Sequence, residues 1–165
     1  MPSSPRLVAA VLASLFAAVP RAADASPVKS NGQTAREVRA AAGLRSRVVV
    51  RAALAQRGIP YLWGGASRAG FDCSGLVRFA YARIGLSLPH SSYALASVGR
   101  RVSRWALRPG DIVLFDGDGH VGLYIGAGRF VHAPHAGAAV SVGSLSSGAY
   151  AARFVGARRV LRSLT

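Results

Sequence analysis

His120-Val121-Gly122-Leu123-Tyr124-Ile125-Gly126-Ala127-Gly128-Arg129-Phe130-Val131-His132-Ala133 reads as two strands joined by a glycine-rich turn, and its register decides the architecture. Two pairings compete. A two-residue loop, Ala127-Gly128, pairs Gly126 with Arg129, turns His120 toward His135 and sends His132 to the opposite side. A three-residue loop, Gly126 to Gly128, pairs Ile125 with Arg129 and leaves His120 and His132 as diagonal neighbours on one face. The apolar pattern selects the second. Val121 then stands opposite Ala133 and Leu123 opposite Val131, a coherent core face, whereas the alternative sets Leu123 against a histidine and Val121 against a proline. Gly128 also suits the left-handed residue that closes a common three-residue hairpin loop.

Further strands surround this hairpin. Arg108-Pro109-Gly110-Asp111 is a turn, Ile112 to Phe115 a short apolar strand, and Asp116-Gly117-Asp118-Gly119 a second turn. Ala138 to Val142 and Arg153 to Val160 are strand candidates as well. Helical patterns come earlier in the chain. Ser46 is placed to cap a helix from Arg47 to Arg57 that Gly58 stops, a second helix starts at Cys73 and ends by Gly85, and a short one runs from Ser92 to Val98. Helices grouped first and sequential strands second predict an α+β domain, with N-terminal helices packed on an antiparallel sheet of about five to six strands.

The first residues have a different character. Arg6, the apolar run Leu7 to Val19 and the small-x-small Ala23-Asp24-Ala25 have the form of an export signal, cut before Ser26. That run is shorter than the ~20 residues a membrane-spanning helix requires. Residues 26–43 are polar and small, and read as a flexible lead with one helical turn at Ala35 to Ala42. Residues 44–165 form the domain. The whole chain has 21 basic and 6 acidic residues, for a net charge of +15. Cleavage removes only Arg6, Arg21 and Asp24 among the charged residues, so the mature protein stays strongly basic. The arginines are scattered, with doublets only at Arg100-Arg101 and Arg158-Arg159. No dense basic arm or zinc-finger spacing supports a nucleic-acid partner. Outside the cytoplasm the same charge would steer the protein toward anionic envelope polymers. A soluble monomer is expected.

Cys73 is the only cysteine, so an exported chain cannot use it in an internal disulfide. Asp72 is a favoured N-cap residue, which makes Cys73 the first helical residue. Unpaired backbone N–H groups and the positive end of the helix dipole favour thiolate there. A nucleophile needs a base and a group to orient it. His120, at the start of its strand beside a Gly-Asp-Gly turn, is assigned as the base, and His132 holds it in the right tautomer. A Cys/His/His zinc site is the competing reading of the same three residues, but their spacing matches no common zinc motif. His90 follows a proline in a loop that could line a cleft, and His135 reads as a surface residue.

Six ordered motifs now carry a resemblance. Pro60-Tyr61-Leu62-Trp63-Gly64-Gly65, Phe71-Asp72-Cys73-Ser74-Gly75-Leu76-Val77, Leu88-Pro89-His90-Ser91-Ser92, Pro109-Gly110-Asp111-Ile112-Val113, His120 to Gly126 and Val131-His132-Ala133 are similar to the motif set of the NlpC family of papain-like cell-wall endopeptidases. The similarity runs from about Arg47 to Val160. It implies a papain-like fold and a cysteine peptidase with no cofactor that cleaves peptidoglycan stem peptides, typically between γ-D-glutamate and a diamino acid. It also implies Cys73 as nucleophile, His120 as base and His132 as orienting residue. Tyr61 matches the tyrosine whose hydroxyl joins the Cys73 N–H in stabilising the oxyanion. Asp72 and Ser74 match positions that hold a stem peptide's free amine in some members, and Trp63 and His90 complete the expected substrate-lining set. Family members often have arginine where His90 stands, and many carry additional wall-binding modules. A related amidase or transferase, or a wall-binding module without activity, are the alternative functions.

Overall fold

A computed structural model describes residues 31–117 and 119–161. The expected export signal, the lead up to Ser30, and Asp118 lie outside the described residues.

The first described element corrects the reading of the lead. Helix α1 is continuous over Asn31–Leu54, where a flexible lead to residue 43 and a separate helix from Arg47 are expected from the sequence. Alanine, arginine and glutamate between Ala35 and Ala42 are good helix formers, and Gly43 interrupts them at a cost of only about 1 kcal/mol. Ser46 therefore caps nothing; its hydroxyl donates to the Pro109 carbonyl. Val49 and Ala53, fully buried, hold the C-terminal half of α1 in the core.

A two-stranded ribbon, β1 (Ala66–Ser67) and β2 (Gly70–Phe71), leads into α2 (Cys73–Ala82), and α3 (Ser92–Leu95) follows with Ser91 as its N-cap. The main sheet holds β3 (Arg100–Val102), β4 (Ile112–Phe115), β5 (His120–Gly126), β6 (Arg129–His132), β7 (Ser141–Ser144) and β8 (Phe154–Arg159). Its order is β3-β8-β4-β5-β6-β7, antiparallel at every pairing. The α+β architecture is the expected one. Strand β3 was missed because two arginines and a valine give no apolar period. A five-residue helix, α4 (Ala149–Arg153), immediately precedes β8.

The hairpin resolves the two competing registers in a way neither anticipates. Leu123 pairs with Val131 and Tyr124 with Phe130, as the apolar pattern requires, yet Gly126 pairs with Arg129 across a two-residue loop. A bulge at Ile125 absorbs the difference. Ala127 and Gly128 both take positive φ, 50° and 66°, the conformation of a tight two-residue hairpin turn. Burial of Leu123 and Val131 on the core face outweighs the one-residue irregularity at the exposed end.

The strand expected at Ala138 to Val142 begins three residues later, because residues 138–140 are used elsewhere. Tyr61 N–H donates to the Ala138 carbonyl at 2.8 Å, and Val140 exchanges hydrogen bonds with Gly58 and Ile59 at 2.9 Å each. That pairing sets the position of the Tyr61 loop.

Two apolar clusters flank the sheet. Leu76, Val77, Ala80 and Tyr81 of α2 pack with Val121, Leu123, Val131 and Ala133 on one side, while Val113, Phe115, Phe130 and Ala157 fill the other. At the β4–β8 end, Arg159 closes on Asp111. Its Nε donates to Oδ1 at 2.7 Å and its Nη2 to Oδ2 at 2.6 Å, and Asp111 also accepts from the Arg108 N–H at 2.7 Å. Both side chains are buried, 7% and 2% exposed. No described helix is long and apolar enough to cross a membrane.

Asp111→Ala leaves the Arg159 guanidinium buried without its carboxylate, so it should lower unfolding stability by about 3–5 kcal/mol, read as a shift of the urea midpoint.

Candidate active site

Asp72 caps α2 as the sequence predicts, with φ −91° and ψ 177°, and its carboxylate does more than cap. Oδ1 accepts from the Gly75 N–H at 2.6 Å and the Ser74 hydroxyl at 2.9 Å. Oδ2 accepts from the Gly64 N–H at 3.0 Å, and His90 Nε2 lies 3.1 and 3.0 Å from the two oxygens. A carboxylate offers about four lone-pair sites, and donors of this chain occupy them. Asp72 is 8% exposed. His90, expected to line a cleft, is partly exposed and also a partner of Asp72. Gly75 makes this closeness possible. A Cβ there would stand 2.0 Å from the Gly65 carbonyl oxygen and 2.9 Å from His90 Nε2.

Cys73 is a free thiol, partly buried at the first position of α2. Burial raises its pKa; the backbone N–H of Val121 opposes this, the Asp72 charge adds to it, and the N–H groups of Ser74 and Cys73 itself oppose it. Desolvation is the largest of these effects. Desolvation thus works against the thiolate that a helix start favours, while three backbone N–H groups favour it.

The two histidines meet. His120 Nε2 lies 2.9 Å from His132 Nδ1, with ring centroids 5.2 Å apart and planes at 75°. Gly122, opposite His132, leaves room for the approach, since a Cβ there would lie 2.6 Å from the Phe130 ring and 3.3 Å from His132 Cβ. Both imidazoles are buried, 9% and 2% exposed. Burial, then the Arg153 charge, pulls His120 down to about 4, with Asp116 opposing and His135 adding. Burial, then His120 and His135, pulls His132 down to about 3. Both rings are neutral at ordinary pH. For His120 to act as a base through Nδ1, its Nε2–H must donate to His132 Nδ1, which assigns one tautomer to each ring.

Tyr61 stands at the other side of the cysteine. Burial raises its phenol pKa, followed by the charges of Cys73 and Asp72. Trp63, in the same loop, is 86% exposed and free to meet a ligand. His135 is exposed, as expected. Among the described residues no group of three His, Cys, Asp or Glu side chains is arranged to hold a metal ion.

The sequence reading missed Tyr150 of α4. Its ring lies 5.9 Å from His120 at 29° and 4.7 Å from His132 at 86°, with Phe115 and Phe130 each at 5.2 Å. Arg153 covers the ring at 5.3 Å and pairs with Asp116, its Nε donating to Oδ1 at 2.6 Å. Gly148-Ala149-Tyr150-Ala151-Ala152-Arg153 did contain a signal: an aromatic and a cation three residues apart after a glycine suit one helical turn.

The family model described as NlpC/P60 matches residues 58–159, a stretch that contains every site residue above. The chain belongs to the NlpC/P60 family. Among relatives of this NlpC/P60 domain, the "Probable endopeptidase Rv2190c" of Mycobacterium tuberculosis is 50% identical over 107 residues, covering 64% of this chain and 28% of that protein. The "Gamma-D-glutamyl-L-lysine dipeptidyl-peptidase" of Bacillus cereus is 37% identical over 110 residues, 63% of this chain and 33% of that protein. The chain thus matches a third or less of the length of either. The solved structure of the peptidoglycan hydrolase RipB from Mycobacterium tuberculosis superposes with a TM-score of 0.67 at 32% identity, covering 82% of this chain and 74% of that one.

The neutral pair sets a pH dependence of stability. Both histidines titrate lower folded than the roughly 6.5 of an unfolded chain, so between those values the unfolded state binds more protons and stability rises with pH. The thermal midpoint should fall as pH drops from 7 toward 4, and His132→Gln should flatten that slope in calorimetry.

Proposed function

We propose that this chain hydrolyses the stem peptides of bacterial peptidoglycan at the γ-D-glutamyl–diamino acid bond, through a Cys73 acyl-enzyme. The observation that carries this reading is the buried His120 Nε2 to His132 Nδ1 contact beside a thiol ringed by backbone N–H groups. In that arrangement His120 Nδ1 takes the Cys73 proton as the sulfur attacks the γ-carbonyl. The oxyanion meets the Cys73 N–H and the Tyr61 hydroxyl, each worth about 10²–10³ in rate for donors of this kind. The imidazolium then gives its proton to the departing amine, the carbon–nitrogen bond breaks, and a thioester remains. Water, deprotonated by the same imidazole, releases the acid and restores the thiol.

The choice of bond is supported by the motif context around Asp72-Cys73-Ser74-Gly75 and by the relative named for γ-D-glutamyl-L-lysine. Residues 1–25 act in this reading as an export signal that delivers the domain to its substrate, in the periplasm or at the wall, and N-terminal sequencing of the exported form should begin at Ser26. The basic charge favours retention near anionic envelope polymers.

Purified peptidoglycan digested with the wild type should release fragments ending in γ-D-glutamate by mass spectrometry, and Cys73→Ala should release none. Cleavage between sugar and L-alanine would make the chain an amidase, and transfer of the acyl group to added amines in preference to water would make it a transferase. Absence of Cys73-dependent products would leave a binding module. Tyr61→Phe should reduce kcat at least tenfold with little change in KM.

A further inference from the structure

We infer that Tyr150 is a positioning residue that seals the His120–His132 hydrogen bond from water, held in place by the Asp116–Arg153 ion pair. This rests on His120 acting as the base. The ring is edge-on to His132 and nearly parallel to His120, so one side chain covers both partners of the bond. Phe115 and Phe130 form the wall behind, and the Arg153 guanidinium closes the outer face. Arg153 is tied to Asp116, four residues before His120, so the device joins α4 to the turn that delivers the base.

An imidazole–imidazole hydrogen bond has little intrinsic strength to hold a tautomer, because either ring can donate. Excluding water removes the competing partner and leaves His120 Nε2 and His132 Nδ1 only each other. The charged and titratable groups acting on the pair are Asp116 from the turn before β5, Arg153 from α4 and His135 after β6. Phe115 meets His120 at 5.9 Å and Phe130 meets His132 at 4.8 Å, whereas the Tyr150 ring lies against both imidazoles.

The test compares Tyr150→Ala and Tyr150→Phe. In a Cys73→Ala background, imidazole titration by NMR should move up by about one pH unit or more in Tyr150→Ala and stay at the parent value in Tyr150→Phe. With the thiol present, Tyr150→Ala should lower kcat on a purified stem peptide at least tenfold, hold KM within about twofold and shift the acid limb of kcat with the titration. If Tyr150→Ala does not fold, Tyr150→Leu takes its place with the same expected direction. An unchanged titration in the folded variant would overturn the proposal, and so would Tyr150→Phe titrating like Tyr150→Ala. The NMR readout needs no activity, so failure of the seal and failure of the peptidase reading give different results.

A separate observation concerns the sheet edge. The structure assigns to β3 and β8 a groove for a phosphate-bearing polymer. Arg101 stands directly opposite Arg158, a like-charge cross-strand pair that is unfavourable without a counter-ion. Both line a groove of about 590 Å³ floored by Leu114 and Gly156. The described carboxylates found in ion pairs are Asp72, Asp111 and Asp116, and they are matched to His90, Arg159 and Arg153. Neighbouring Arg104 is engaged with the Ala151 and Leu145 carbonyls. Guanidinium forks suit phosphate, two N–H groups to each. Binding of inorganic polyphosphate should weaken at least tenfold in Arg101→Ala/Arg158→Ala and show a shallower salt slope, by about one per lost contact, while Arg36→Ala/Arg39→Ala on α1 stays within about twofold. Equal losses in both double variants would reduce the binding to net charge and overturn the groove, and equal affinity for polyglutamate would overturn the choice of phosphate.

Discussion

The Asp72 carboxylate is the point on which the site depends. It fixes the start of α2 through Gly75 and Ser74, draws in the 60–65 loop through Gly64, and clasps the 86–91 segment through His90. Three stretches distant in sequence thereby take their positions from one buried charge. The arrangement explains why the carboxylate tolerates burial: each oxygen exchanges water for fixed donors. It also explains why residue 75 is glycine, since any side chain there would part the loop from the helix.

Burial has a different consequence for the groups that do chemistry. It works against the charged form of the Cys73 thiol and pulls both histidines below their ordinary range. The N–H groups of Val121, Ser74 and Cys73 around the sulfur favour its anion over the thiol.

The hairpin from His120 to Ala133 shows how far the sequence reading reached. Alternation of Val121, Leu123, Val131 and Ala133 was enough to put both histidines on one face, because a one-residue slip would have turned the core outward. The loop chosen to achieve it was wrong. Ile125 bulges and Ala127-Gly128 turn in two residues, an outcome set by local backbone preference at a solvated end. Nearby, Ala138 to Val140 were read as strand by composition, yet they pair with the 58–61 loop and locate Tyr61. Tyr150 was passed over because an aromatic before a strand looks like any core residue until its neighbours are known.

The sequence by itself determined the α+β class, the capped cysteine, the paired histidines and the ordered motifs, since each rests on local spacing or on a period that burial enforces. Tertiary structure alone decided that α1 is one continuous helix and that His90 and Asp72 belong together. It also decided that burial lowers the pKa of both imidazoles and that Tyr150 covers the pair. These outcomes depend on desolvation and on contacts between residues far apart in the chain, and neither quantity exists until the chain has closed on itself.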